Sequence, residues 1–131
     1  MVVLLPILLF QAVAANLDAV KWTHGANDPA GSESVVLRED ARTGGLELLA
    51  RYPAGHVFKP HWHESNERVL LIEGRLSIGA DRVLEPGGFA YLPARELQQM
   101  ACVSQTRCTF VSAGAKIPIV PNEKLPTPDK G

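Results

Sequence analysis

The stretch GHVFKPHWHESNERVLLIEG, residues 55–74, decides how this chain reads. It contains His61, Trp62 and His63 as a His-x-His triplet, with Glu67 four residues after the second His. In an extended segment over 58–63, side chains at i and i+2 leave the same face, so both imidazoles address one spot while Trp62 points away. A carboxylate four residues further on reaches that spot only if the chain turns first. Glu64, Ser65 and Asn66 supply turn-forming residues at that place. The spacing therefore predicts strand, turn, strand, and gathers three side chains of metal-ligand type.

The spacing from Gly55 through His61, His63 and Glu67 to Gly74 closely resembles the first signature motif of the cupin superfamily, with every fixed position matched. The resemblance implies an all-β fold, a small antiparallel jelly-roll β-barrel, in which His61, His63 and Glu67 bind a divalent metal. A second stretch, Pro86-Gly87-Gly88 followed by Phe89-Ala90-Tyr91-Leu92-Pro93-Ala94, resembles the second cupin motif less faithfully. Where that family usually carries a fourth ligand, a His, this chain has Gln98, and no His follows His63. Gln98 either coordinates through its side-chain carbonyl oxygen or is a hydrogen-bonding residue of the pocket wall. Two imidazoles, a carboxylate and an amide oxygen suit Fe²⁺, Mn²⁺ or Zn²⁺. Without Gln98 the set is the two-His-one-carboxylate arrangement of non-haem Fe(II) oxygenases.

Length and charge bound the remaining options. The chain has 131 residues, 13 basic and 14 acidic, for a net charge of −1, and carries no Lys/Arg cluster. One compact domain is expected, and neither a nucleic acid nor an anionic membrane surface is implied as a partner. Residues 2–10 are almost wholly apolar and give way to Gln11-Ala12-Val13-Ala14-Ala15 before the first charge, Asp18. This resembles a signal peptide over 1–15, too short to span a bilayer and followed by a small-x-small cleavage site, though no Lys or Arg precedes it. A secreted or periplasmic protein is the expectation. The alternatives are an amphipathic anchor or a buried first element of the domain.

The domain itself is expected over 16–117, with an extended proline-bearing tail over 118–131. Short apolar or alternating runs separated by Gly, Pro and Asp predict strands at 34–37, 45–52, 58–63, 68–73, 75–78, 81–84, 89–92, 98–102 and 108–112, and no long helix. Cys102 and Cys108 flank a polar stretch that reads as a hairpin turn. A symmetric hairpin centred on Gln105 brings them within disulfide reach, and two buried thiols are the other reading.

In 67–73, Val69 and Leu71 share the parity of Glu67 and should line the barrel, whereas Leu70 and Ile72 need another layer. That layer is a sheet edge, the N-terminal lead-in, or another subunit. The resemblance favours a homodimer. His24 and His56 lie outside the motif and are read as surface or hydrogen-bonded residues, not ligands. Trp62, Tyr91, Phe58, Phe89 and Phe110 are mostly expected in the core or the pocket wall, with Tyr91, Glu96 and Met100 the residues that vary a pocket. Glu96 and Glu73 are the candidate general acids or bases. The expected function is a metal-dependent enzyme, of oxygenase or decarboxylase type, acting on a small chelating oxygen-rich molecule. A non-catalytic ligand- or metal-binding module is the alternative.

Overall fold

The computed structural model describes residues 12–114 together with strand residues 120 and 121. Most of the signal-like segment and of the tail falls outside them. Ten strands are described: β1 (Glu33–Glu39), β2 (Leu46–Tyr52), β3 (His61–Trp62), β4 (Glu67–Glu73), β5 (Leu76–Ile78), β6 (Arg82–Leu84), β7 (Phe89–Leu92), β8 (Met100–Cys102), β9 (Cys108–Ala113) and β10 (Val120–Pro121). No helix occurs among the described residues. The strands form a five-stranded sheet β1-β2-β9-β4-β7, a three-stranded sheet β6-β5-β8 and the pair β10-β3, every pairing antiparallel. The expected all-β antiparallel fold is thus the fold observed.

Period-two alternation places the core. In β4, Val69 and Leu71 are fully buried between the sheets. Phe110 and Cys108 of β9, Ala50 of β2, Leu76 of β5 and Met100 and Cys102 of β8 join them in one cluster. The opposite parity explains the unbroken run Val69-Leu70-Leu71-Ile72. Register pairs Val35 with Leu49, Leu49 with Val111, Val111 with Leu70 and Leu70 with Phe89, so one apolar row crosses all five strands on the outer face. The lead-in covers the β1-β2 end of this face. Trp22 lies 3.9 Å from the Arg51 guanidinium, and Arg51 also bonds one oxygen of Glu33 through two nitrogens. At the other end Leu70 and Phe89 are exposed, by 45% and 58%, so the layer expected over Leu70 is not supplied there by the described residues.

Two glycines of the quoted stretch hold backbone that other residues resist. Gly55 has φ +81° in a turn closed by His56 N–H donating to the Pro53 carbonyl. Gly74 has φ +87°, and a Cβ there would sit 2.5 Å from the Arg107 carbonyl oxygen and 2.8 Å from Cys108 Sγ. β4 therefore runs hard against the start of β9, just past a register shift between Leu71 and Glu73.

The expected hairpin across 102–108 is corrected. β8 pairs with β5, and β9 pairs with β2 and β4, so the polar stretch crosses from one sheet to the other. Cys102 and Cys108 nevertheless form a disulfide, with Cα atoms 5.8 Å apart. It fastens the two sheets together at one end of the barrel. Two predicted strands shrink by more than one residue: 58–63 reduces to His61–Trp62 and 98–102 to Met100–Cys102. Lys59-Pro60 explains the first, since Pro has no N–H for a ladder.

Candidate functional site

His61, Trp62 and His63 are all buried, and 64–66 make the turn that returns the chain as β4. The turn is pinned from outside. Asn66 Oδ1 accepts from the Ala94 N–H at 2.8 Å, and Ser65 Oγ donates to the Gly114 carbonyl at 2.6 Å. Glu67, the first residue of β4, thereby faces the interior with both histidines. Their rings stand nearly perpendicular at 5.1 Å between centroids, and His63 Nε2 is 3.8 Å from Glu67 Oε2. Gln98 joins them by register. It faces His61 in an isolated antiparallel bridge, Gln98 N–H donating to the His61 carbonyl at 2.7 Å, so the two side chains leave the same face.

Each group is oriented by its neighbours. His61 Nδ1 lies 2.8 Å from the Lys59 carbonyl oxygen, which can only accept, so Nδ1 carries the proton and a neutral ring keeps its lone pair on Nε2. Ser112 Oγ donates to Glu67 Oε2 at 2.6 Å. Glu67 Oε1 and both amide atoms of Gln98 are buried without a hydrogen-bond partner. Unpaired buried polar groups are rare in native interiors, so these three atoms call for a polar or cationic partner. Among the described residues, no three His, Cys, Asp or Glu side chains close on one point as they stand. The donor types and the orphaned oxygens fit a divalent ion all the same.

Two cavities adjoin this region. His61, His63, Glu67 and Ser112 line one of about 110 Å³ whose other walls include Tyr52, Phe58 and Phe110. Burial, and then the charges of Asp28 and Glu67, raise the Tyr52 phenol above its ordinary range, so it stays a neutral hydroxyl. His56 stacks on Tyr52 at 4.8 Å, and burial lowers its affinity for a proton. A larger cleft of about 600 Å³ is lined by Gln98, Tyr91, Glu96 and Met100, so the residues expected to shape a pocket do line one. Phe89 and Tyr91 are half-exposed or more at this cleft and not in the core. Glu73 lines neither space. Its carboxylate is held by the Thr109 hydroxyl and by Arg107, which lower its pKa, as befits a structural anion.

Ser112, Tyr52, Phe58 and Phe110 form the part of the site that motif reading did not single out. Ser112 had one signal: it shares the parity of Cys108 and Phe110, and a polar residue among inward apolar positions needs a partner.

Comparison with known proteins places the fold. A model of the family described as the ChrR cupin-like domain matches residues 11–117. No curated protein matches the sequence. Among solved structures, an RmlC-like cupin protein from Ralstonia eutropha JMP134 is similar at 15% identity and TM-score 0.74, over 86% of this chain and 74% of that one. A chain of the Rhodobacter sphaeroides complex of SigE with the anti-sigma ChrR is similar at 16% identity and TM-score 0.64, over 76% of this chain and 51% of that one. This chain thus spans about half of it. An acetylacetone dioxygenase from Acinetobacter johnsonii is similar at 12% identity and TM-score 0.66, over 80% of this chain and 73% of that one.

Proposed function

The chain belongs to the ChrR cupin-like family, and from that premise we propose that it binds a divalent ion, Fe, Mn or Zn, through His61, His63 and Glu67, with the Gln98 amide oxygen as fourth ligand. On this reading the protein is a metal-dependent enzyme, of oxygenase or decarboxylase type, for a small oxygen-rich molecule. The observation that carries it is the set of buried partnerless atoms on Glu67 and Gln98 beside a histidine whose Nε2 is left with its lone pair. A bound ion would supply Lewis-acid polarisation of a ligand oxygen. The protein's own groups do the rest. Ser112 fixes the Glu67 carboxylate by one oxygen and leaves the other free, and the Lys59 carbonyl fixes the His61 tautomer. Phe58 and Phe110 keep the small cavity apolar, and the neutral Tyr52 adds a phenol to its wall.

A second reading, a non-catalytic binding module, is favoured by a different observation: the similarity to a chain of the SigE and anti-sigma ChrR complex. Elemental analysis of protein purified without chelators tests the ion. One equivalent of Fe, Mn or Zn is expected, and its loss in the His61→Ala, His63→Ala double variant. Equal metal content in both proteins rejects the site. Oxygen uptake or CO₂ release with chelating acids and diketones then separates the readings, stoichiometric metal without turnover favouring the module.

Export to an oxidising compartment and a homodimer complete the proposal. Support comes from the disulfide for the first and from exposed Leu70 and Phe89 for the second. N-terminal sequencing that finds Met1 retained on the mature protein, or light scattering at monomer mass, counts against each in turn.

A further inference from the structure

The segment that brings Gln98 to His61 is one residue too long for a regular ladder. Gln98 and His61 exchange both backbone hydrogen bonds, Gln98 N–H donating to the His61 carbonyl at 2.7 Å and His61 N–H to the Gln98 carbonyl at 3.3 Å. Regular antiparallel pairing would next bring the Glu96 N–H to the His63 carbonyl. The donor there is the Arg95 N–H instead, at 2.8 Å, so the span 95–98 opposes the shorter span 61–63. The Glu96 N–H turns back to the Pro93 carbonyl at 3.4 Å and closes a turn with Arg95 in its third position. Arg95 has φ +63° and is the one non-glycine residue with positive φ among the described residues. A left-handed residue that starts an antiparallel pairing with one residue to spare is a bulge of the kind normally built on glycine. The bulge decides a parity. With Arg95 paired to His63 and no extra residue, Leu97 would stand opposite His61 and Gln98 would face outward. As the chain lies, Leu97 is 36% exposed and Gln98 4%.

We propose that Arg95 is a positioning residue for the ion site: its left-handed backbone makes the bulge that turns the Gln98 amide, in place of the Leu97 side chain, towards His61. The bulge lies where this segment is laced to the histidine turn, since the Ala94 N–H donates to Asn66 Oδ1 at 2.8 Å next to the bond from Arg95 to His63. An arginine held left-handed costs free energy that glycine would not, and such a conformation persists where the surrounding bonds over-determine it. The effect of Arg95 on ion affinity rests on the reading of Gln98 as a ligand. Its effect on register does not.

The test reads register and affinity separately in the full chain. Amide hydrogen exchange followed by NMR, on protein stripped of metal, reports the Gln98 N–H, with the Leu71 N–H, bonded to the Gly88 carbonyl at 2.9 Å, as the control. Glycine and asparagine accept a left-handed backbone, and β-branched valine resists it. Arg95→Gly and Arg95→Asn should therefore keep Gln98 protected, while Arg95→Val should speed its exchange about tenfold or more and leave Leu71 unchanged. Competition with a fluorescent chelator then gives the Mn²⁺ dissociation constant. Arg95→Val should raise it about tenfold, Arg95→Gly should not, and Arg95→Val should add nothing in a Gln98→Leu background. Unchanged Gln98 exchange in Arg95→Val overturns the proposal. So does a loss of affinity in Arg95→Val that is equal with and without Gln98, the mark of a general disturbance, or a loss in Arg95→Gly as large as in Arg95→Val. A parent protein that fails to bind Mn²⁺ sinks the ion reading, whereas Mn²⁺ bound equally by the parent and Arg95→Val sinks this inference alone.

Discussion

Replacing Ser112 with Ala removes one hydrogen bond and almost no volume, and the proposed ion site should weaken. The Ser112 hydroxyl donates to Glu67 Oε2 at 2.6 Å between residues 6% and 7% exposed, while Glu67 Oε1 has no partner. A hydrogen bond to a charged group is worth about 1.5–3 kcal/mol. At about 1.36 kcal/mol per factor of ten, that is roughly 10- to 100-fold, the range seen when groups that orient metal ligands are removed. The expected result is a 10- to 100-fold rise in the Mn²⁺ or Zn²⁺ dissociation constant, read by competition with a fluorescent chelator at pH 7. Ser112→Thr keeps the hydroxyl and should retain most of the affinity, which separates the lost donor from a general disturbance of β9. Unchanged affinity in Ser112→Ala, in a protein whose binding the double histidine variant abolishes, would refute the claim that this hydroxyl positions Glu67.

Two more outcomes follow from the fold. The Cys102–Cys108 bridge closes a short loop of sequence separation 6, for which chain entropy gives about 2 kcal/mol. The Cys102→Ala, Cys108→Ala double variant should therefore melt about 8–16 °C lower in calorimetry, and an unchanged Tm would show that the link adds nothing to sheet packing. His56 has its proton affinity lowered by burial from an ordinary value of 6.5, so the unfolded chain binds its proton more readily. Its contribution to stability is complete above about pH 6.5 and is lost as pH falls through the lower folded value. Melting curves for the parent and His56→Phe should diverge in pH dependence below 6.5, and parallel curves would remove His56 from the acid sensitivity.

Most of the strand positions could be read from the sequence because alternation and Gly/Pro turns are local signals. The interior parity of His61, His63, Glu67, Val69 and Leu71 followed from period two alone. Gln98 was singled out only through the resemblance to the second cupin motif, and register sets it opposite His61. The hairpin expected over 102–108 failed because nothing local distinguishes a turn within a sheet from a crossing between sheets. The cysteines meet in either case, so the disulfide was legible where the topology was not. Phe89 and Tyr91 were expected in the core or the pocket wall; both line the larger cleft, and because β7 is an edge strand they are also half in solvent. Ser112 escaped notice because its role depends on a partner 45 residues away.

The disulfide lies at the Gly74 end of β4, while Glu67 and its companions occupy the opposite rim. A barrel riveted by a covalent bond at one rim and, among the described residues, by hydrogen bonds and packing at the other has a preferred place to gape. Transient opening should begin beside the histidines, where β3 is only two residues long, and stop before the cystine. On the proposed reading, an ion would reach these buried side chains by local opening at that rim, without unfolding of the domain.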